Sequence, residues 1–129
     1  MNENYLSSVI IASAIEVHKA LGPGLLESAY EECLCHESSL RDINFKRQEP
    51  VPVKYKGINL DCGYRLDLLV EDLVIVELKA VEKLLPIHKM QVISYLRSTG
   101  KKLGLLLNFH EVLLKDGIVR LVNGLEDEQ

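Results

Sequence analysis

Tyr64-Arg65-Leu66-Asp67-Leu68-Leu69-Val70, then Glu71-Asp72, then Leu73-Val74-Ile75-Val76-Glu77-Leu78-Lys79: this stretch decides how the chain is read. Both runs are rich in Leu, Val and Ile, of strand length and bounded by polar residues, which predicts a β-hairpin. Asp67, Glu77 and Lys79 interrupt the apolar pattern. Side chains alternate along a strand, so Glu77 and Lys79 share one face, while Val74, Val76 and Leu78 make the other wholly apolar. Such a strand reads as central, where a charge is costly unless it is paired or holds a metal. Two carboxylates beside an ammonium suit a hard divalent cation. The plainer reading is an ion pair between Glu77 and Lys79, with Asp67 in solvent.

Register bears on the choice. A two-residue turn at Glu71-Asp72 would pair Asp67 with Val76 and strand its carboxylate in the apolar layer, opposite Glu77. A shared site needs Asp67 across from Glu77. That requires an odd turn, such as Glu71-Asp72-Leu73 with Val70 opposite Val74, or a bulge near Asp67. The expectation is one of these, with Asp67, Glu77 and Lys79 converging on a face that also meets the helix carrying Glu27.

Upstream, Leu6, Val9, Ile10, Ser13, Val17 and Leu21 recur at helical spacing from about Asn4 to Leu21, with His18 on the flank. Gly22-Pro23-Gly24 stops that helix. A second runs from Leu25 and fades by Leu40, with Glu27 in its first turn, where a carboxylate also serves as a cap. Tyr30 follows Glu27 on the same face. Between Asn44 and Leu60 the chain reads as extended. Pro50 and Pro52 suit an edge strand or a bulge, and Lys56-Gly57 a turn.

Downstream, Pro86 opens a helix with an apolar stripe of Ile87, Met90, Ile93 and Leu96, ended by Gly100. His88, Gln91 and Tyr95 share an adjoining face. Leu103–Phe109 reads as a buried strand, so this helix is expected to cross over between parallel neighbours. Val112–Val122 reads as a hairpin turning at Asp116-Gly117. The order is helix, helix, three strands, helix, strand, terminal hairpin.

At 129 residues the chain reads as one domain, residues 1–129. No apolar run approaches the ~20 residues of a membrane span. The start lacks the basic and apolar segments of a signal peptide. Cys33, Cys35 and Cys62 have no framework spacing, so the expected compartment is a reducing cytoplasm. Cys33-x-Cys35-His36 falls in a helix, where residues two apart do not share a face, which argues against zinc. A net charge of −4 is unlike a nucleic-acid-coating protein but compatible with an acidic nuclease site. Glu126-Asp127-Glu128 reads as a solvated tail.

Gly24-Leu-Leu-Glu27-Ser-Ala-Tyr30, with Val17-His18-Lys-Ala-Leu-Gly22-Pro before it, resembles the signature of the GxxExxY family, a branch of the PD-(D/E)XK nuclease superfamily. Asp67 and Glu77-Leu-Lys79 fall where that superfamily has its Asp and its Glu-x-Lys. Gln91-x-x-x-Tyr95 is similar to the auxiliary motif of its helicase-associated exonucleases. Leu66 stands where the superfamily often has proline. The resemblance implies a three-layer, restriction-endonuclease-like α/β core with a mixed central sheet flanked by helices. It implies Mg2+ or Mn2+ held by Asp67, Glu77 and the Leu78 carbonyl, with Glu27 as a further ligand. Lys79 would act on the attacking water, and Gln91 and Tyr95 would position a phosphate or the metal's waters. His18 and Tyr30 are auxiliary candidates.

The function so implied is a metal-dependent nuclease hydrolysing phosphodiester bonds in DNA. The alternatives are a non-catalytic nucleic-acid-binding or complex-assembly protein that keeps the fold, and an unrelated α/β protein with a structural charge cluster. No separate recognition domain fits in this length. Specificity would come from the substrate's shape, a homodimer or a larger complex.

Overall fold

A computed structural model describes residues 1–126 of the chain; the rest of the acidic tail lies outside them. The elements in order are α1 (Glu3–Leu21), α2 (Glu27–Leu40), β1 (Phe45–Pro50), β2 (Val53–Tyr55), β3 (Ile58–Leu60), β4 (Arg65–Val70), β5 (Val74–Lys79), α3 (Pro86–Thr99), β6 (Leu103–Asn108) and β7 (Ile118–Val122). Five strands form one mixed sheet in the order β1-β4-β5-β6-β7, and β2 and β3 make a separate ribbon. Among the described residues only β5 and β6, the strands joined by α3, run parallel.

Helices cover both faces, giving the three layers expected. Val74, Val76 and Leu78 of β5 and Leu103, Leu105 and Leu107 of β6 pack with Leu6, Ile10, Val17, Tyr30 and Leu34 of α1 and α2. On the other face Ile75 and Leu106 pack with Val92, Tyr95 and Leu96 of α3. The strict alternation in β5 is what divides the two cores.

The hairpin turns through three residues, Glu71-Asp72-Leu73, with Val70 opposite Val74 and Leu68 opposite Val76. Glu71 and Asp72 both take positive φ there. This is the odd turn that a shared site requires.

Four expectations change. The extended segment before the central hairpin is not one strand. β1 ends at Pro50, which has no N–H to offer a ladder, and the chain turns out into the β2–β3 ribbon through Lys56-Gly57. In α3, Ile87 and Met90 are 66% and 49% exposed, and the buried face runs through Val92, Tyr95 and Leu96. Gly104 beneath the helix explains this, because a Cβ on it would lie 2.6 Å from Val92 Cγ1; the missing side chain is the space Val92 fills. No terminal hairpin forms. Val112 is 84% exposed, Leu114–Gly117 is a short 3-10 turn, and β7 pairs with β6 instead. Finally, the face of Glu77 and Lys79 is covered by α3, while α2, committed to the opposite core by Tyr30 and Leu34, reaches only the strand end, where Glu27 feels Lys79.

Candidate active site at the end of the central strands

The regular β4–β5 pairs stop at Leu68 and Val76. One step further out, Asp67 and Glu77 use their side chains where backbone carbonyls would otherwise accept. Leu78 N donates to Asp67 Oδ2 at 2.8 Å, and Asp67 N donates to Glu77 Oε1 at 3.2 Å. The same place marks a turnover of β4. Leu66 lies in the α3-side core and Leu68 in the α1/α2-side core, although residues two apart on a regular strand share a face. β1 turns over alongside, with Gln48 at φ +53°. Because both strands rotate together, the register from Phe45–Val70 to Pro50–Arg65 never slips.

Glu77 is 4% exposed and Asp67 is half-buried. Burial is the largest reason that the Glu77 carboxyl is pushed up to about 9; the charge and hydrogen bond of Asp67 add to it, while Asp67 N–H and Lys79 oppose it. Lys79 is half-buried on the same face of β5. Among the described residues it forms no ion pair within 4.0 Å, so its ammonium is held near the carboxylates without being locked to one.

Glu27 opens α2 and does not cap it. Its carboxylate instead lies near the Ala80 amide, just past the end of β5, and so approaches the strand end from the α2 side of the sheet. Desolvation raises its pKa, Lys79 lowers it and Asp67 raises it. The three carboxylates therefore share one electrostatic neighbourhood. They do not form a compact ligand cluster: among the described residues no three His, Cys, Asp or Glu side chains are grouped closely enough to hold an ion. The donor set still fits Mg2+, which is commonly bound through one or two carboxylates and fills its other positions with water and substrate phosphate.

Tyr95 faces the pair from α3. Burial, followed by the charges of Glu77, Tyr64 and Asp67, pushes its phenol up to about 12, which makes it a donor group and no base at neutral pH. Its ring meets Tyr64 edge-on at 6.2 Å. Gln91, half-buried, lies one turn earlier on α3.

Tyr30 is spent on the α1–α2 connection, and His18 on tying α1 to the segment after β6. The Tyr30 hydroxyl donates to Gly22 O at 2.6 Å and accepts from Leu25 N at 3.1 Å, and its ring stacks on Phe109 at 4.5 Å. His18 Nε2 donates to Glu111 O at 2.8 Å.

Sequence reasoning passed over Glu31, Arg47 and Gln48. Glu31 is 8% exposed and is bonded by Arg47 Nε at 2.7 Å and Gln48 Nε2 at 2.9 Å. Its position one turn after Glu27 was a usable signal. Lys46-Arg47-Gln48-Glu49 reads in the sequence only as part of an extended segment.

The family model of the PD-(D/E)XK nuclease superfamily matches residues 4–121, nearly the whole chain, and the chain belongs to that superfamily. No curated protein and no solved structure matches it significantly. Among the described residues no helix is long and apolar enough to cross a membrane.

Proposed function

We propose that this member of the PD-(D/E)XK superfamily is a metal-dependent nuclease that hydrolyses phosphodiester bonds, with DNA as the substrate. The observation that carries the reading is the buried Glu77 carboxyl against Asp67, each taking a backbone amide from the other's strand. Setting a buried acid against a second carboxylate is costly unless a proton or a cation neutralises the pair. Asp67 and Glu77, with the Leu78 carbonyl, are the residues that would hold Mg2+ or Mn2+, and Glu27 would act at the next distance. The bound ion neutralises phosphate charge and lowers the pKa of a coordinated water.

The chain's own groups do the rest. Lys79 orients the attacking water by donating to it and offsets the charge that builds on the phosphoryl oxygens. Tyr95, kept protonated, donates to a phosphate oxygen, and Gln91 on the same face adds an amide donor. The protein acts in the cytoplasm.

The test is incubation of plasmid and single-stranded DNA with Mg2+ or Mn2+, wild type against Glu77→Ala. Cleavage lost in the variant is the expected result. A second reading is a nucleic-acid-binding or complex-assembly protein that keeps the fold without catalysis, because fold alone does not fix activity. Binding without cleavage by the wild type would establish that reading.

A further inference from the structure

Gln48 holds a left-handed backbone in the middle of β1. Residues with a Cβ avoid that region unless their surroundings impose it, and such sites cluster where function needs a particular geometry. Strand pairing does not ask for it: Arg47 opposite Leu68 and Glu49 opposite Leu66 keep one register on either side. What accompanies the turned-over backbone is the placement of the carboxamide. Its Nε2 donates to Glu31 Oε1 at 2.9 Å and reaches Asp67 Oδ1 at 3.5 Å.

Chemistry fixes the amide's orientation. Both neighbours are carboxylates, which accept and do not donate when ionised, so the nitrogen must face them. Glu31 is itself immobilised, because its other oxygen is bonded by Arg47 Nε. Arg47 also reaches Glu32 Oε1 at 2.9 Å. On the far side of Asp67, Oδ2 accepts from Leu78 N. The Asp67 carboxylate is thus held at one oxygen by the backbone of β5 and met at the other by a carboxamide anchored in a part-buried ion pair.

We infer that Gln48 is a positioning residue that sets the plane of the Asp67 carboxylate for a divalent cation, with the Glu31–Arg47 pair as its anchor. The inference rests on the reading of Asp67 and Glu77 as the cation-holding pair. A neutral donor suits this task. It orients a ligand through its hydrogen bond, as partners behind metal ligands do, and brings no positive charge to compete with the ion. The placement also accounts for a polar side chain on β1 turning toward α2 and β4 at the one position where both strands rotate.

The test is calorimetric titration of the intact chain with Mg2+ and with Mn2+, for wild type, Gln48→Gly and Gln48→Asn, beside thermal melts in EDTA. Glycine adopts positive φ freely and asparagine tolerates it, so both variants keep the backbone. Neither reaches Glu31 and Asp67 together. The expected result is ion affinity weakened about tenfold in both variants, with the metal-free Tm of Gln48→Gly held within a few degrees because backbone strain is relieved. Should Gln48→Gly not fold, Gln48→Asn decides. Wild-type affinity in the variants would overturn the role of Gln48 alone, as would a fall in Tm with affinity unchanged, which marks a purely structural residue. A wild type that binds neither ion would overturn the cation reading and this inference with it.

Discussion

Asp67 and Glu77 exchange backbone amides through their side chains: Oδ2 of Asp67 takes Leu78 N–H, and Oε1 of Glu77 takes Asp67 N–H. The ladder bonds given up at the end of β4 and β5 are thereby replaced, and a buried acid is fixed beside a half-buried one. A carboxylate that accepts a backbone amide is oriented before any ligand arrives. The arrangement is stable only if the shared negative charge is reduced, by a proton or by a cation.

Without metal the proton takes that role at Glu77, whose carboxyl sits at about 9 in the fold against 4.5 as the ordinary value. Between those values the folded state holds a proton that the unfolded chain has released. Bound protons in the native state then exceed those in the unfolded state, so stability falls as pH rises through this window. Glu77→Gln removes the linkage, since an amide imitates the protonated acid. Urea unfolding in EDTA at about pH 5 and about pH 8 should show the variant gaining on wild type as pH rises, by at most about 1.4 kcal/mol for each pH unit. Parallel curves would mean that Glu77 is ionised in the metal-free fold.

Lys79 stands two residues beyond Glu77 on the same face and is not locked into an ion pair, so it is available to a water and a phosphate. Lys79→Ala should lower cleavage roughly a hundredfold or more, the scale seen on removing a charge-stabilising donor, and leave Mg2+ affinity nearly intact. Lys79→Arg should fail as well, because a planar guanidinium does not replace a compact ammonium beside a water nucleophile. Cleavage rates and calorimetry on the same preparations check both statements. Full activity in either variant removes Lys79 from the mechanism.

Much of this was legible in the sequence because the signals were local. The alternation of β5 separated Glu77 and Lys79 from Val74, Val76 and Leu78, and the two-residue side-chain period made the turn length a matter of arithmetic. Three things were not legible. The inward face of α3 depended on a glycine in another element, Gly104, that admits Val92. The last strand depended on which neighbour β7 would choose. Gln48 looks like any residue of an extended segment, since nothing local announces a left-handed backbone in a strand or a bond to Glu31. Periodicity reports which side a residue faces. It is silent on what another element brings to that side.

Tyr30 is expected to matter for the fold and not for the site. Tyr30→Phe keeps the ring on Phe109 but leaves Gly22 O and Leu25 N without their part-buried partner. The cost should be about 1–3 kcal/mol, read as a lower urea midpoint, with Mg2+ affinity unchanged. A variant of wild-type stability that has lost ion binding would reverse this assignment.

Glu27 gives the sharpest test of how far the site extends. It could have capped its own helix, yet its carboxylate lies near the Ala80 amide at the end of β5, close enough to feel both Lys79 and Asp67. Two roles fit this position. As a tie between α2 and β5 it needs only an acceptor oxygen, which glutamine also provides. As a contributor to the cation it needs its charge. Glu27→Gln separates them: Tm in EDTA should stay within a few degrees of wild type, while Mg2+ and Mn2+ affinity should fall severalfold, because a negative charge at short range in a partly desolvated site is lost. The drop should be smaller than for Asp67→Ala, whose carboxylate lies directly against Glu77. If Glu27→Gln binds both ions as tightly as wild type, Glu27 is a structural tie, and the site consists of Asp67, Glu77 and whatever oxygen atoms the substrate supplies.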